Sequence, residues 1–426
     1  MTTVDRPHDS LSRTFGWILA ATSAAIIGGL VAKSLVLAVA LALVPALVLL
    51  VARPRATLAF AVASLPFPNS LSGRSGLQVA TSDLLFLFVA CALLAQLSMS
   101  RTPSHGRKTP LLPMALSYGL PLVLVLTAHL SGTSAIKSAQ QLELTLLPAT
   151  AGFLLFGERL ARTALRGFVI TSTLLALAFT LNIALGSDTA LGVNKNPGGQ
   201  YLANAILLLF TAPCFDRRWR LLVIPLAFGL LGAQSRGALL GLGAALIVLI
   251  MIRGGEAARS RLAAGTLALG ALFTVGFQVL PAGAQHRILN TNSSSDYTLN
   301  IRQSYRTEAE ALISAHPYLG IGVGNYIAGD PANGTQTSDP HNVALLVLAE
   351  GGVVLGLGFV ALQAMSAVTL FRLRSTSPYA VSAMVVQLAT LVHGFGDTYW
   401  VRGTPVMGWF LLGLALASRI TTEEHT

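Results

Sequence analysis

The residues Asp339-Pro340-His341-Asn342 stand directly before an apolar run that begins at Val343. Aspartate suits a helix N-cap and proline the first helical position, so the spacing predicts His341 in the first turn of a helix entering an apolar layer. The positive end of the helix dipole disfavours a charged imidazole there. A neutral imidazole in that place can take a proton as a general base. The same spacing also suits a histidine that only caps the helix or sits at an interface. Arg236 is a single arginine between two apolar segments, after Ala233-Gln234-Ser235 and before Gly237-Ala238-Leu239-Leu240. Ionisable groups in such places are costly and often functional, and a guanidinium fork binds phosphate through two parallel hydrogen bonds. An arginine reaching out to lipid headgroups fits the pattern equally. Arg302 and Arg306 lie one helical turn apart. Arg306 has Glu310 four residues on, which reads as a surface ion pair. Arg302 has no acid at that spacing and is the better candidate for an external anion.

Other motifs narrow the chemistry. Gly320-Ile321-Gly322-Val323-Gly324 lacks the spacing and the preceding strand of a dinucleotide fingerprint, and its glycines suit a tight turn with close backbone approach. Asn196, within Asn194-Lys195-Asn196-Pro197, offers a hydrogen bond to a sugar or phosphate, or belongs to a solvated loop. Asp83, Glu143, Asp188, Asp330, Asp339, Glu350 and Asp397 form no metal-binding pair, so no metal or cofactor is expected. Glu350 lies inside an apolar segment and calls for a buried partner. Nine residues separate it from His341, which puts the two on different faces of one helix. Cys91 and Cys214 sit in apolar runs and form neither a metal-ligand spacing nor a disulfide pair.

These residues must be positioned by an unusual chain. Of 426 residues, 53% are apolar and only 11% charged, against about 25% in soluble domains. The mean hydropathy is +0.68. A soluble enzyme is excluded, and an all-α polytopic membrane protein is predicted, with about 12–14 transmembrane helices. Candidate spans are Phe15–Val31, Leu35–Val51, Ala56–Pro68, Asp83–Met99, Leu111–Leu130, Gln141–Phe156 and Phe168–Gly186. They continue with Tyr201–Cys214, Leu221–Ala233, Gly237–Ile252, Leu262–Leu280, Val343–Phe371, Tyr379–Phe395 and Thr404–Arg419. Met1 to Arg13 is polar and lacks a cleavable signal, so the first span is expected to serve as an uncleaved one. With the N-terminus inside, alternation puts 19 of the 28 basic residues in cytoplasmic loops. Both termini then lie in the cytoplasm. The net charge of +11 is thereby an orientation signal and points to no nucleic acid.

The domain reading is one membrane domain in three stretches: N-terminal spans over 1–281, an external loop over 282–340 and C-terminal spans over 341–426. The loop opens with a turn-rich stretch, Asn290 to Asp296. It continues as an amphipathic helix from about Thr298 to Ala315, with Ile301, Tyr305, Ala309 and Leu312 on one face. A long loop with a patterned helix favours function over disorder.

A resemblance rests on these motifs. The loop helix with Arg302, His316-Pro317, the Gly320, Gly322 and Gly324 turn and Asn325-Tyr326 form its first half. Pro340-His341-Asn342, Leu345, Glu350 and Gly351-Gly352 form its second. With Ser235-Arg236-Gly237 upstream, they resemble the signature region of the O-antigen ligase and polymerase superfamily over about Gln234–Gly358. The resemblance implies a GT-C-like glycosyltransferase fold in the bacterial cytoplasmic (inner) membrane, with the active site on the extracytoplasmic face. It implies transfer of a glycan from undecaprenyl-pyrophosphate to a hydroxyl acceptor on a glycan, lipid or protein, with inversion and without metal. His341 would be the base, and Arg236 and Arg302 would hold the pyrophosphate. Arg306, Asn342, Tyr326 and Asn196 are further candidates for substrate contact, and Arg306 is the alternative to Arg302.

Ligase, chain polymerase and protein O-oligosaccharyltransferase share these motifs. The rival from another class is a secondary transporter or flippase, which places polar groups near the bilayer midplane in repeated halves. Here the candidate residues cluster at helix ends and in one loop, and no repeat is evident, which disfavours transport.

Overall fold

The computed structural model describes residues 51–67, 81–99, 110–183, 189–252, 255–279, 293–329, 336–337, 339–397, 399–400 and 404–423, with residues 285 and 289. The expected span Phe15–Val31, and nearly all of Leu35–Val51, lie outside the described residues. The described chain is almost entirely helical. Its helices are α1 (Pro54–Ser64), α2 (Thr81–Met99), α3 (Leu111–Ala128), α4 (Gly132–Leu154), α5 (Glu158–Ile183), α6 (Lys195–Thr211) and α7 (Val223–Ala233). They continue with α8 (Arg236–Ile252), α9 (Glu256–Val279), α10 (Ser293–Ala315), α11 (Val343–Leu373), α12 (Ala380–Gly394) and α13 (Val406–Glu423). Two hairpins of two-residue strands precede α6 and follow α10. Three described helices, Leu111–Ala128, Glu158–Asn182 and Val343–Leu373, are long and apolar enough to cross a membrane, and six shorter ones are apolar. This is an all-α membrane protein.

Close packing of small residues joins the helices. In lipid, where apolar burial does not distinguish helix from bilayer, backbone approach at glycine and alanine supplies much of the association. α8 packs on α12, where a Cβ added to Gly241 would lie 2.5 Å from the Ala389 carbonyl oxygen. α4 packs on α13, where Gly413 lies against the Ala149 backbone, and α5 packs on α1 and α7. α3 packs along α11.

α11 is broken. Gly352 has φ 59° and ψ −162° inside it, so its local helical hydrogen bonds cannot form. The loop after α10 takes them over. Ile321 N–H donates to Ala349 O at 3.0 Å and Gly322 N–H to Glu350 O at 2.8 Å. Val353 N–H donates to Pro317 O at 2.8 Å and Val354 N–H to Tyr318 O at 3.2 Å. This exchange works because a Cβ on Gly320 or Gly352 would collide with the opposing backbone. Glu350, 4% exposed, finds its buried partners in the same loop: its Oε1 accepts from Gly324 N–H at 2.8 Å and Tyr326 N–H at 3.5 Å.

The loop helix begins at Ser293, five residues before its expected start. Its predicted apolar face is the packed one: Tyr305 and Ala309 are buried with Tyr326, Leu346 and Ala349, and Ile301 and Leu312 pack against them.

The break makes a stability test. Gly352→Ala places a side chain at positive φ, worth about 1–3 kcal/mol in backbone strain alone, and against the Tyr318 backbone. A clear drop in the thermal midpoint of the detergent-purified chain is expected. Gly119→Ala in α3, where an added Cβ meets nothing within 4 Å, should leave the midpoint unchanged or raise it.

Candidate functional site

The turn before α11 differs from its expected form. The N-cap is Asn342, whose Oδ1 accepts from Ala344 N–H at 3.0 Å and Leu345 N–H at 3.1 Å. His341 thus stands just outside the helix rather than in its first turn. Asp339, expected as the cap, instead closes the preceding turn: its Oδ1 accepts from His341 N–H at 2.6 Å across Pro340. The turn puts His341 at φ 56°, a left-handed conformation uncommon outside glycine and asparagine. Burial pushes the Asp339 carboxyl up to about 7, against the opposing pull of the His341 charge and backbone N–H.

Three elements converge on one carboxylate in the turn after α12. Asp397 Oδ1 lies 3.3 Å from His341 Nδ1, and its Oδ2 lies 3.4 Å from an Arg302 terminal nitrogen. The other Arg302 terminal nitrogen donates to Gly396 O at 2.9 Å. The Asn342 side-chain nitrogen donates to Phe395 O at 3.0 Å, tying the His341 turn to the same segment. Burial raises the Asp397 carboxyl, but the His341 hydrogen bond and the charges of His393, His341 and Arg302 outweigh it and hold the group well below its ordinary range. Asp397 is therefore the anion that two half-buried donors share. The Tyr305 ring, one turn after Arg302, stacks on His341 with centroids 6.3 Å apart and planes at 24°. Tyr326, expected as a possible substrate contact, is fully buried instead: its hydroxyl donates to Tyr305 O at 2.8 Å and so fixes α10.

Arg236 is the first residue of α8. α7 ends on Gln234 in the left-handed conformation, and Ser235 Oγ accepts from Ala238 N–H at 3.4 Å, so Arg236 sits at a capped corner between two apolar helices. The charge of Arg302 acts on Arg236, and the neighbouring Gly237 lies against His393, 2.8 Å from Nδ1 if it bore a Cβ. His393 is 1% exposed and feels both Asp397 and Arg302. Arg236, Arg302, His341, Asp397 and His393 thus form one cluster. Arg306 is exposed and is not among the groups bound to Asp397, and among the described residues its expected ion pair with Glu310 does not form. Asn196, at the start of α6, is half-buried and is not bound to the cluster; its backbone N–H donates to Asn194 Oδ1 at 3.1 Å.

Asp397 and His393 are the residues that sequence reasoning missed. Asp397 was legible only as one external acid among several, and nothing local pairs it with residues 56 and 95 positions away. Nδ1 is the ring nitrogen that faces Asp397. In the tautomer that donates from Nδ1 to Asp397, Nε2 is the proton acceptor. Arg302 shares Asp397 with His341, and Arg236 feels the Arg302 charge, so two guanidiniums suited to a phosphate-rich anion belong to the cluster.

Comparison with known proteins adds to the geometry. Residues 221–360 match a family model described as O-antigen ligase. The chain is 28% identical over 188 residues to an O-antigen ligase of Pseudomonas aeruginosa, an alignment covering 44% of this chain and 43% of that protein. The chain therefore spans less than half the length of that relative. The family match includes Arg236, Arg302 and His341 and ends before Asp397. Both findings support the O-antigen ligase and polymerase superfamily.

Two stability measurements test the cluster. Asp397→Ala leaves Arg302 and His341 without their shared acceptor and should cost about 1–3 kcal/mol, with Asp397→Asn retaining part of it. For Asp339 the sign follows from a carboxyl held above its ordinary value of 3.8. The fold binds that proton more tightly than the unfolded chain, so its contribution is present below about pH 4 and is lost as pH rises through about 7. Asp339→Asn should flatten that part of the stability curve.

Proposed function

We propose that this protein, whose central region carries the O-antigen ligase family match, is a membrane glycan ligase. In this reading it transfers an oligo- or polysaccharide from undecaprenyl-pyrophosphate to a hydroxyl acceptor at the outer face of the bacterial cytoplasmic membrane. The observation that carries it is the convergence on Asp397 of Arg302 and His341, with Arg236 close enough to share their field.

The steps follow from the groups present. Arg236 and Arg302 hold the donor's pyrophosphate, one from a helix corner and one from α10. The acceptor hydroxyl lies against His341 Nε2 and attacks the anomeric carbon from the face opposite the pyrophosphate. The new carbon–oxygen bond forms as the bond to phosphate breaks, and the anomeric centre inverts. Nε2 takes the hydroxyl proton, and Asp397 stabilises the resulting imidazolium, as a carboxylate does in other base–carboxylate pairs. Negative charge grows on the leaving pyrophosphate, where two fixed guanidiniums are worth several kcal/mol. A lipid pyrophosphate stabilised in this way needs no divalent ion to leave. The excess of basic residues in the loops assigned to the cytoplasm supports an active site on the outer side.

The test is transfer by the purified chain from a lipid-linked oligosaccharide to a panel of acceptors: a lipid A-core, a second lipid-linked repeat and a peptide. His341→Ala, Arg236→Ala and Arg302→Ala should each lower turnover about 100-fold or more while the protein still accumulates in the membrane. Near-normal turnover in all three would refute the assignment. Dependence of the wild-type rate on added divalent metal would refute the leaving-group argument.

A further inference from the structure

Arg302 and His341 are bound to the turn after α12, whereas Arg236 stands on α8 and has to be brought to them. One close contact does so. Gly237, the residue after Arg236, lies against the imidazole of His393: a Cβ on Gly237 would sit 2.8 Å from Nδ1, 3.4 Å from Cε1 and 3.7 Å from Cγ. The ring therefore rests directly on the first turn of α8. His393 is 1% exposed, and its Nδ1 is buried without a hydrogen-bond partner among the described residues. A buried polar atom in that state costs free energy. A leucine or phenylalanine would fill the space without that cost, so the polar ring calls for a role beyond packing.

The rest of the α8 corner is fixed as well. α6, α8 and α12 pack on one another. Gly199 of α6 lies against Ser235, where an added Cβ would be 2.6 Å from the Ser235 Cβ. Gln200 Nε2 of α6 donates to Thr390 Oγ1 at 3.3 Å, one turn before His393 on α12. Arg236 leaves this joint between two contacts, Ser235 on Gly199 and Gly237 on His393. Residues 393–397 gather the remaining members of the cluster. His393 O accepts from Gly396 N–H at 3.0 Å. Phe395 O accepts from Asn342, Gly396 O accepts from Arg302, and Asp397 meets both Arg302 and His341. His393 thus joins the two halves, with its ring on α8 and its carbonyl in the turn that holds Arg302.

We infer that His393 is a positioning residue that sets the separation between the guanidiniums of Arg236 and Arg302. Its ring fixes the first turn of α8, and its place in the last turn of α12 ties that turn to Asp397. The charges of Asp397 and Arg302 act on the imidazole, and a ring dipole can orient in their field where a phenyl ring cannot. On the ligase reading, on which this role rests, the two guanidiniums hold one pyrophosphate. Its two phosphate groups share a bridging oxygen, so both arginines engage it together only at a matching separation. Misplacement by about 1 Å can cost about 100-fold in rate.

The experiment is a double-mutant cycle on the full chain in detergent, reading glycan transfer and the binding of undecaprenyl pyrophosphate. His393→Ala should lower kcat/KM about tenfold or more, raise KM for the lipid-linked donor and leave KM for the acceptor unchanged. Gly237→Ala, which drives a methyl group into the ring, should do the same. Combined with His393→Ala, that methyl group enters the space the ring has left. The double variant should therefore bind undecaprenyl pyrophosphate about threefold or more better than the product of the two single effects. His393→Gln, which keeps a polar group in the space, should recover part of the loss and serves where His393→Ala fails to accumulate. Equal rises in both KM values would overturn the inference, as would strictly multiplicative effects of Gly237→Ala and His393→Ala. Wild-type binding by His393→Ala and His393→Gln beside weakened binding by Arg236→Ala would overturn it alone. Wild-type binding by Arg236→Ala would overturn the ligase reading and this inference together.

Discussion

A helix in a bilayer must satisfy its own backbone, because lipid offers no hydrogen bonds, and α11 cannot do so at Gly352. The carbonyls of Ala349 and Glu350 and the N–H groups of Val353 and Val354 need partners from elsewhere in the chain. Residues 317–322 supply all four. That exchange fixes the signature loop against α11, and the loop in turn fixes α10, through the Tyr326 hydroxyl on the Tyr305 carbonyl. Arg302 rides on α10 and His341 precedes α11, so the position of one relative to the other descends from the broken helix. The glycines of the loop and of the break are therefore two halves of one joint.

Asp397 completes what the joint begins. A buried carboxylate with one cationic partner is only marginally favourable, since desolvation offsets most of the attraction. Here two side chains from different segments share it, and Asn342 binds the same turn from a third direction. The carboxylate orients the imidazole and keeps Arg302 from turning to solvent. The charge of Arg302 also acts on Arg236, a repulsive pairing of two guanidiniums.

The sequence carried the helices well and the long-range pairing poorly. Hydropathy placed α3, α8, α11 and α12 within a few residues of their ends, because a span of apolar residues has few other options. The 3.6-residue period of Ile301, Tyr305, Ala309 and Leu312 picked out the packed face of α10 for the same reason. His341, Arg236 and Arg302 stood out because charged or titratable residues are rare at the ends of apolar segments. The cap was misread: Asp339 and Asn342 are both good cap residues, and the turn through Pro340 decided between them. Asp397 and His393 were not recognised as partners, because nothing in a single chain says which distant turn folds back onto Arg302. Tyr326 reads as a candidate for substrate contact in a loop motif, and only the tertiary packing reveals that it is interior.

His341 also has a meaning beyond its ring. At φ 56° it occupies a backbone geometry that asparagine or glycine would adopt with less strain. The position proposed as the base is thus one where the wild-type side chain is not the best choice for the backbone. An enzyme arranged in this way carries an internal tension between activity and durability. His341→Asn would relieve that backbone strain while giving up the contact with Asp397, so its two effects on stability oppose each other.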